Sequence, residues 1–260
     1  MLKKTKRKII MKGKVKVGIG GEQMRFKLNF ELENEKFPIQ YRKNVMSFIK
    51  KSLSEYSPEH YEKLYHEKDN IIKPYTFAVF FNTPEFKENE IILKDKKFTI
   101  NISIENYEIA IILYNSFNNQ KYKKFSLNQN SWTLQNITMT MEKEITTDKI
   151  NIKFLSPLIA RNRVEQKDNY YSFSANQFLE TVKINIREQL KITNLPEGIE
   201  NTFEIKPIQA KKVIVKFYEK KIEGSIGTFE ISGDRKLLEV LYKSGIGSKR
   251  SAGFGMFEII

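Results

Sequence analysis

Near its carboxy-terminal end the sequence reads Gly245-Ile-Gly-Ser-Lys249-Arg250-Ser-Ala-Gly-Phe-Gly255, with four glycines around a cationic pair. Glycine allows backbone angles and close approaches that side chains forbid, and consecutive exposed N–H groups can form a concave anion site. The stretch is not a Walker loop, because it lacks Gly-Lys-Ser/Thr, and it is not followed by the helix of a dinucleotide fingerprint. Two interpretations are open: a phosphate-binding loop, or a helix C-cap at Gly245 followed by an ordinary hairpin.

The composition limits the kind of site that this chain can carry. Its 260 residues provide room for one large domain or two small ones. The absence of Cys excludes disulfides and thiolate metal sites, and a total of two His excludes a His-rich metal site. The sequence contains no run of about 18 apolar residues, so we expect no transmembrane helix. The simplest expectation is an intracellular, cytoplasmic protein that needs no metal or other cofactor.

The charge of the chain indicates its partner. The net charge of +14 predicts a polyanion, most often nucleic acid. Half of this excess lies in residues 1–23, which hold eight Lys or Arg and one Glu. Because this segment lacks the apolar region of a secretory signal, we interpret residues 1–23 as a solvated basic extension and expect the folded protein to begin at Met24.

The first half of the sequence has the pattern of a β-α-β-β-α-β unit. Residues 25–33 alternate apolar and polar side chains, as in a half-buried strand. An apolar stripe with helical spacing follows at 45–53. Ser57-Pro58 is typical of the N-cap and first position of a second, short helix that would end near Glu67. We further expect strands at 75–81, at 90–93 paired with 96–102, and within 121–141, and a helix at 105–115.

The second half repeats this order. A strand is predicted at 149–154, and the apolar spacing of 174–190 predicts an amphipathic helix with a capping box formed by Ser174 and Gln177. We expect further strands at 212–218, 222–231 and 254–260, and a short helix at 237–241. The predicted fold class is therefore α+β, with two tandem ferredoxin-like (RRM-like) β-α-β-β-α-β domains at 24–143 and 148–260.

Three segments carry a resemblance to a known family. The first is the terminal glycine-rich loop, the second is Leu155-Ser-Pro-Leu158 at the head of the second half, and the third is Phe37-Pro-Ile-Gln-Tyr-Arg42 with the helices after it. Together they resemble the CRISPR-associated endoribonucleases that process precursor CRISPR RNA, the CRISPR-associated protein six family of the RAMP superfamily. The resemblance covers about residues 24–260. It implies tandem ferredoxin-like domains and RNA cleavage without a metal ion.

Metal-independent RNA cleavage needs particular side chains. The 2′-hydroxyl of the RNA attacks the adjacent phosphorus, and the protein transfers protons and stabilises phosphoryl charge. Histidine suits the proton transfer because its unperturbed pKa lies near ~6.5, and lysine or arginine suits the charge. The sequence offers His60 and His66, whose spacing of six does not place them on one helix face. It shows no paired-carboxylate pattern of a two-metal nuclease.

The resemblance assigns roles among these residues. It places the catalytic histidine at His66 and leaves His60 at the surface. In some members of the family a tyrosine on the first helix and a lysine after the histidine complete the site. Lys50 stands at the tyrosine position, which is a departure from that pattern, and its charge suits stabilisation of the phosphate better than general-base catalysis. Lys73 is the candidate for the lysine after the histidine, and Lys68 competes with it. The alternative interpretation is a helix-terminal histidine that interacts with the helix dipole, with surface lysines around it.

Two tyrosines near these positions, Tyr65 and Tyr75, are further candidates for the site, although both also fit core aromatic positions. RNA phosphates are expected at the glycine-rich loop and at the basic segment after Leu158. Lys211 and Lys212 fit equally well as edge-strand gatekeepers. The RNP1 signature is not present, so sequence readout would use base edges and 2′-hydroxyl groups. The candidate RNA-binding residues are Gly245, Gly247, Lys249, Arg250, Gly253, Gly255, Arg161 and Arg163.

The function implied by the resemblance is a metal-independent endoribonuclease that cleaves precursor CRISPR RNA within its repeats. The mature guide RNAs would carry 5′-hydroxyl and 2′,3′-cyclic phosphate ends. The implied partners are the repeat RNA, other CRISPR effector subunits and a second copy of the chain, with no membrane partner. Two alternatives stay open: a non-catalytic RAMP-type RNA-binding subunit of a CRISPR effector complex, and a general RRM-like RNA-binding protein.

Overall fold

The structure of the protein is a computed structural model that describes residues 24–66, 71–127 and 129–260. The predicted basic extension at 1–23 lies outside the described residues, as do Glu67 and Lys68. Among the described residues, no helix is both long and apolar enough to cross a membrane.

The helices and strands follow one another closely along the chain. The first half contains β1 (Arg25–Leu32), β2 (Lys36–Pro38), α1 (Tyr41–Tyr56), α2 (Pro58–Tyr65), β3 (Tyr75–Phe81), β4 (Glu85–Phe86), β5 (Glu90–Ile92), β6 (Lys97–Ile104), α3 (Tyr107–Asn118), β7 (Lys124–Leu127) and β8 (Asn130–Thr140). The second half contains β9 (Lys149–Phe154), β10 (Ala160–Val164), β11 (Lys167–Tyr171), α4 (Phe178–Leu190), β12 (Glu204–Phe217), β13 (Lys220–Ser232), α5 (Arg235–Ser244) and β14 (Phe257–Ile259). Short 3₁₀ turns lie at Ile199–Thr202 and Arg250–Ala252.

Each half is built around one large antiparallel sheet, with a smaller sheet beside it: β2-β5-β4 in the first half and β10-β11 in the second. The strand order is β3-β6-β1-β8-β7 in the first sheet and β12-β13-β9-β14 in the second. In both sheets the first strand of the unit lies between the third and the fourth, which is the ferredoxin-like arrangement. The predicted α+β class with two tandem ferredoxin-like units is confirmed. The first sheet ends at Thr140 and the second begins at Lys149, while the domain boundaries at 24–143 and 148–260 stay a prediction.

Aromatic side chains on alternate strand positions build the core of the first half. In β1, Phe26, Leu28 and Phe30 are buried, and the ring of Phe30 packs edge-on against Phe48 of α1 at a centroid distance of 5.2 Å. Full burial of side chains of this size contributes about 1.5–3 kcal/mol each. The period-2 pattern that predicted β1 thus exists because one face of the strand covers α1.

The predicted hairpin between 90–93 and 96–102 is wrong. β5 pairs with β2 and β4 in a separate three-stranded sheet, whereas β6 lies between β3 and β1. Alternation shows that a segment forms a strand, but it does not select the partner strand. The central hairpin of the first unit is therefore β3–β6, with β4 and β5 inserted in its connection.

Two predicted capping interactions are absent. The hydroxyl of Ser57 is hydrogen-bonded to Nδ1 of His60 at 2.7 Å and does not cap α2. Helix α4 begins at Phe178, and Gln177 at its N-cap makes no side-chain capping bond. In both places the residue types of a cap are present, but the side chain has a different partner or orientation.

Gly245 is a helix C-cap, as one of the two interpretations of the loop expected, although the chain continues into a 3₁₀ turn at Arg250–Ala252 and not into an ordinary hairpin. Helix α5 ends at Ser244, and Gly245 follows it with φ 81°. The N–H of Gly245 donates to the carbonyl of Leu241 at 2.8 Å. A glycine is favoured here because this φ lies in the left-handed region.

Candidate active site and nucleic-acid interface

Two lysines converge on the ring of Tyr65, the last residue of α2. Nζ of Lys50, from α1, lies 5.1 Å from the ring centroid, and Nζ of Lys73, just before β3, lies 5.0 Å from it. His66 follows Tyr65 directly, and its side chain is exposed. Its backbone N–H donates to the carbonyl of Glu62 at 3.1 Å, which ends the helix. Lys50, His66 and Lys73 therefore lie around one tyrosine.

Tyr65 is fixed by contacts at its ring and its hydroxyl. Its hydroxyl is hydrogen-bonded to the hydroxyl of Tyr75, and its ring stacks on Tyr61 at a centroid distance of 5.4 Å. Burial raises the pKa of Tyr65 to about 12 and the pKa of Tyr75 well above its usual value. Both phenols stay protonated at neutral pH, so they suit a rigid floor for the site better than a general base.

The electrostatics of the two lysines favour an anion. Burial, together with the positive charge of Lys50, lowers the pKa of Lys73. In the described part of the chain the ion pairs involve neither Lys50 nor Lys73. Nζ of Lys73 donates to the carbonyl of Ile71 at 3.2 Å. Two like charges on one ring repel each other, and a phosphate group between them would relieve this repulsion.

We expect the pKa of Lys73 to be lower than that of an ordinary lysine, and the pKa of Lys63 to be higher. The hydrogen bond of Lys63 to Glu59, at 2.8 Å, raises its pKa. In Lys50→Gln the pKa of Lys73 should rise, because a neighbouring positive charge is removed, while that of Lys63 stays unchanged. NMR titration of the lysine Cε resonances measures both groups. A Lys73 pKa that does not move in Lys50→Gln would contradict the coupling.

The lowered pKa of Lys73 makes anion binding at the lysine pair depend on pH. Because the pKa of Lys73 is lowered, its charge is lost at a lower pH than that of other lysines as the pH rises. The affinity of the lysine pair for an anion should therefore fall as the pH rises through this lowered pKa.

The glycine-rich loop is buried between the two halves. Gly253 has φ 87°, and a Cβ added there would lie 2.5 Å from the ring of Phe77 in β3. Oγ1 of Thr76 donates to the carbonyl of Phe254 at 2.8 Å, and Nε of Arg42 in α1 donates to the carbonyl of Gly253 at 3.2 Å. The glycines thus permit close packing of the loop on the first half.

Much of the backbone of the glycine-rich loop is already hydrogen-bonded within the protein. The N–H groups of Ile246, Ser248 and Gly255 donate to protein carbonyls, as do those of residues 252–254. The N–H of Met256 donates to Oγ of Ser156 at 3.0 Å. Because these donors are already used, they serve packing of the loop, and phosphate binding by the remaining loop N–H groups, at Gly247 and residues 249–251, stays a prediction.

Arg250 likewise lies inside the protein. Arg250 is 7% exposed, and its Nη1 donates to the carbonyl of Ser244 at 2.8 Å. Burial lowers its pKa to about 10, although the charge of Glu105 opposes this. In this conformation the guanidinium braces the loop, and the RNA contact of Arg250 stays a prediction.

The more accessible predicted cations lie beside the β10–β11 hairpin. Nζ of Lys249 lies 5.4 Å from the ring centroid of Phe217, and its pKa is lowered by burial and by the charge of Arg161. Nη1 of Arg161 lies 3.6 Å from the carboxylate of Asp168. Arg163 is exposed on the same hairpin. For Lys249, Arg161 and Arg163 an RNA contact stays a prediction.

Sequence reasoning missed the arginine that joins the two sheets. Arg25 of β1 is 2% exposed, and its Nη1 lies 3.0 Å from the carboxylate of Glu258. Its Nη2 donates to the carbonyl of Phe257 at 2.7 Å, and its guanidinium lies 4.2 Å from the ring centroid of Tyr242. The alternation of β1 placed Arg25 on the polar face, but no local signal shows that the second half covers that end of the face.

Further along the same face of the first sheet, an aromatic side chain is exposed. Phe80 is 60% exposed and pairs with Thr99 on β6, which in turn pairs with Asn29 on β1. Asn29 pairs with Asn136 on β8. An exposed ring in a row of hydroxyl and amide side chains suits base stacking and hydrogen bonds to base edges. The signal available in the sequence was Phe80 at a strand position that alternation assigns to the polar face.

In the described ranges, no three His, Asp or Glu side chains are grouped so that they could hold a metal ion.

Comparison with known proteins gives a family match for the second half of the chain. Residues 140–259 match the family model of the C-terminal domain of CRISPR-associated protein Cas6. No curated protein matches the chain. The match to the family model confirms the resemblance inferred from the sequence for the second half.

Solved structures extend the likeness to the whole fold. A Cas6-related protein of Pyrococcus furiosus is 21% identical, with a TM-score of 0.79, over 91% of this chain and 98% of that one. A RAMP protein described as binding different RNA substrates is 18% identical, with a TM-score of 0.78, over 91% and 99%. A Cas6 product complex is 14% identical, with a TM-score of 0.67, over 91% and 99%. These similarities show a shared fold.

Proposed function

We propose, from the match of residues 140–259 to the Cas6 C-terminal family model, that the chain is a metal-independent endoribonuclease that cleaves precursor CRISPR RNA within its repeats. The family match and the structural neighbours support the coarser role, a CRISPR-associated protein that binds or processes RNA. The observation that carries the proposal of cleavage is the pair of lysines on Tyr65 beside His66.

The proposed reaction uses the RNA's own nucleophile. The 2′-oxygen forms a bond to the adjacent phosphorus, and the bond from that phosphorus to the 5′-oxygen breaks. The products are a 2′,3′-cyclic phosphate and a 5′-hydroxyl end. His66 would take the proton of the 2′-hydroxyl or give one to the departing 5′-oxygen. Lys50 and Lys73 would bind the non-bridging oxygens, on which negative charge develops.

The RNA would be held by surfaces on both halves. Lys249, Arg161 and Arg163 lie where they could contact phosphates of the backbone. Phe80 offers a stacking position for a base on the first sheet. The buried glycine-rich loop would fix the two halves relative to each other, and so would act on RNA indirectly.

Cleavage of repeat RNA in the presence of EDTA tests the proposal. We expect site-specific cleavage that stops when the nucleotide upstream of the cut carries a 2′-deoxyribose, because the attacking hydroxyl is then missing. A 2′-deoxyribose one nucleotide further upstream serves as the matched control and should leave cleavage intact. Gel analysis with end-group identification measures both. Cleavage that survives the deoxyribose at the cut would refute 2′-hydroxyl attack.

A non-catalytic RNA-binding subunit is the second candidate function. A RAMP protein of similar fold is described as binding different RNA substrates, which favours this role. RNA binding without cleavage would need the basic surfaces but no catalytic histidine. Repeat RNA that binds tightly and is never cleaved would select this alternative.

A further inference from the structure

A cavity at the amino-terminal end of α1 lies apart from the lysine pair. Its volume is about 940 Å³, within the range of roughly 300–1,000 Å³ found for small-molecule sites. It is bounded by the β2 segment, the start of α1, the end of β7 and the start of β8. Residues that line it include Lys36, Pro38, Gln40, Lys43, Asn44 and Gln129.

The lining of this cavity combines three kinds of contact. Pro38, Ile92 and Leu127 supply an apolar wall that a nucleobase could cover. Gln40, Asn44 and Gln129 supply amide groups, which bind base edges through paired donors and acceptors.

The charges of the lining favour phosphate. The cavity is bordered by Lys36, Lys43 and Lys96, against Glu35 and Glu90. Nζ of Lys43 lies 4.5 Å from the ring centroid of Tyr218, outside the lining, so its charge acts at the rim. Nζ of Lys36 lies 3.6 Å from the carboxylate of Glu90, and both groups are partly exposed. The positive excess is modest, which suits one nucleotide better than a polyanion.

Gln40 gives a more specific indication of the ligand. Its Oε1 is buried and has no hydrogen-bond donor among the described residues. A buried acceptor without a partner is unfavourable. Because solvent does not reach this oxygen, the Gln40 side chain must rotate towards the cavity before the exocyclic amino group of a base or a ribose hydroxyl can supply the missing donor.

The position of the cavity links it to the candidate active site. Lys43 at its rim and Lys50 at the lysine pair are seven residues apart on α1, which places them on the same helix face about 10 Å apart along the axis. Ser47 is exposed between them. A single strand of RNA could therefore follow α1 from the lysine pair to the cavity within a few nucleotides.

We propose that this cavity binds one nucleotide of the single-stranded RNA next to the cleaved phosphodiester, with its base against the Pro38 and Leu127 wall and its amino or hydroxyl group bonded to Gln40. This proposal rests on the proposed function, since it requires RNA at the lysine pair. It assigns the start of α1 a role in positioning the substrate strand.

Photo-crosslinking tests the position of the nucleotide. The probe is the repeat RNA made uncleavable by a 2′-deoxyribose at the cut, with 4-thiouridine at single positions up to a few nucleotides on either side. We expect one of these positions to crosslink to peptides that contain residues 34–44 or 127–130, as identified by mass spectrometry. RNA that binds and crosslinks only to other peptides overturns the cavity proposal alone. A failure of the repeat RNA to bind at all overturns the proposed function with it.

A pair of variants provides an independent measurement. Lys36→Gln combined with Gln40→Leu should weaken binding of the uncleavable RNA about tenfold, while the pKa of Lys73 stays unchanged. Lys63→Gln, on the exposed face of α2, removes the same charge elsewhere and should change affinity less than twofold. Equal affinities of the double variant and Lys63→Gln, with both proteins folded by circular dichroism, would exclude the cavity.

Discussion

His66→Ala should lose RNA cleavage by about a hundredfold or more while repeat RNA still binds. His66 lies at the exposed end of α2, so its replacement removes a proton-transfer group without opening a cavity in the core. The measurement is the single-turnover cleavage rate, compared with the dissociation constant of the uncleavable RNA. A rate equal to that of the wild type would remove His66 from the mechanism.

The chain supplies its own control for this variant, because the sequence contains two histidines. His60 is hydrogen-bonded to Ser57 at 2.7 Å and lies 3.4 Å from the carboxylate of Glu108. His60→Ala should therefore change the cleavage rate little and cost some stability of α2. If His60→Ala abolishes cleavage and His66→Ala does not, the assignment of the catalytic histidine from the family resemblance is wrong.

Gly255→Ala should be the most destabilising small substitution in the glycine-rich loop. A Cβ at Gly255 would lie 1.9 Å from the carbonyl oxygen of Ile246, and φ is 71°. No side-chain rotation can relieve a clash with backbone, so the loop must shift. We expect a loss of about 3 kcal/mol or more, which corresponds to a fall in Tm of about 10 °C for a chain of this size. Differential scanning calorimetry measures this.

Gly198→Ala is the matched control, since it shares the left-handed backbone but not the crowding. Gly198 has φ 84°, and an added Cβ would meet only the side chain of Asn201, at 3.6 Å. This variant should lose about 1–2 kcal/mol from backbone strain alone. A similar fall in Tm for both variants would mean that backbone conformation, and not the close approach to the Ile246 carbonyl, explains the glycine at 255.

The sequence was sufficient where the signal is local. The alternation of 25–33 and the apolar stripe at 45–53 identified β1 and α1, because each pattern records burial of one face. The glycine-rich loop was also recognisable, since its glycines meet a requirement of the backbone. Its surroundings were not, because Phe77, which closes on Gly253, lies in the other half of the chain.

The candidate site shows the same division. His66, Lys50 and Lys73 were named from family motifs, and their common neighbour is Tyr65. The pairing of β5 with β2 and the contact of Arg25 with Glu258 escaped prediction for one reason. Each depends on which distant segment covers a given face, and neither periodicity nor charge in a short window contains that information.

The contact between Thr76 and the carbonyl of Phe254 spans 178 positions in the sequence. During translation β3 leaves the ribosome long before this loop exists. If the first half forms its sheet at that stage, one end of a sheet face, at Thr76 and Arg25, is exposed to water. The loop and β14 cover this end only after the second half has been synthesised. Contacts of such long range slow folding, because the chain loses the entropy of closing a long loop before the contact can stabilise the fold. The strand that follows Lys73 thus receives its last support late, which ties the maturation of the candidate site to completion of the second half.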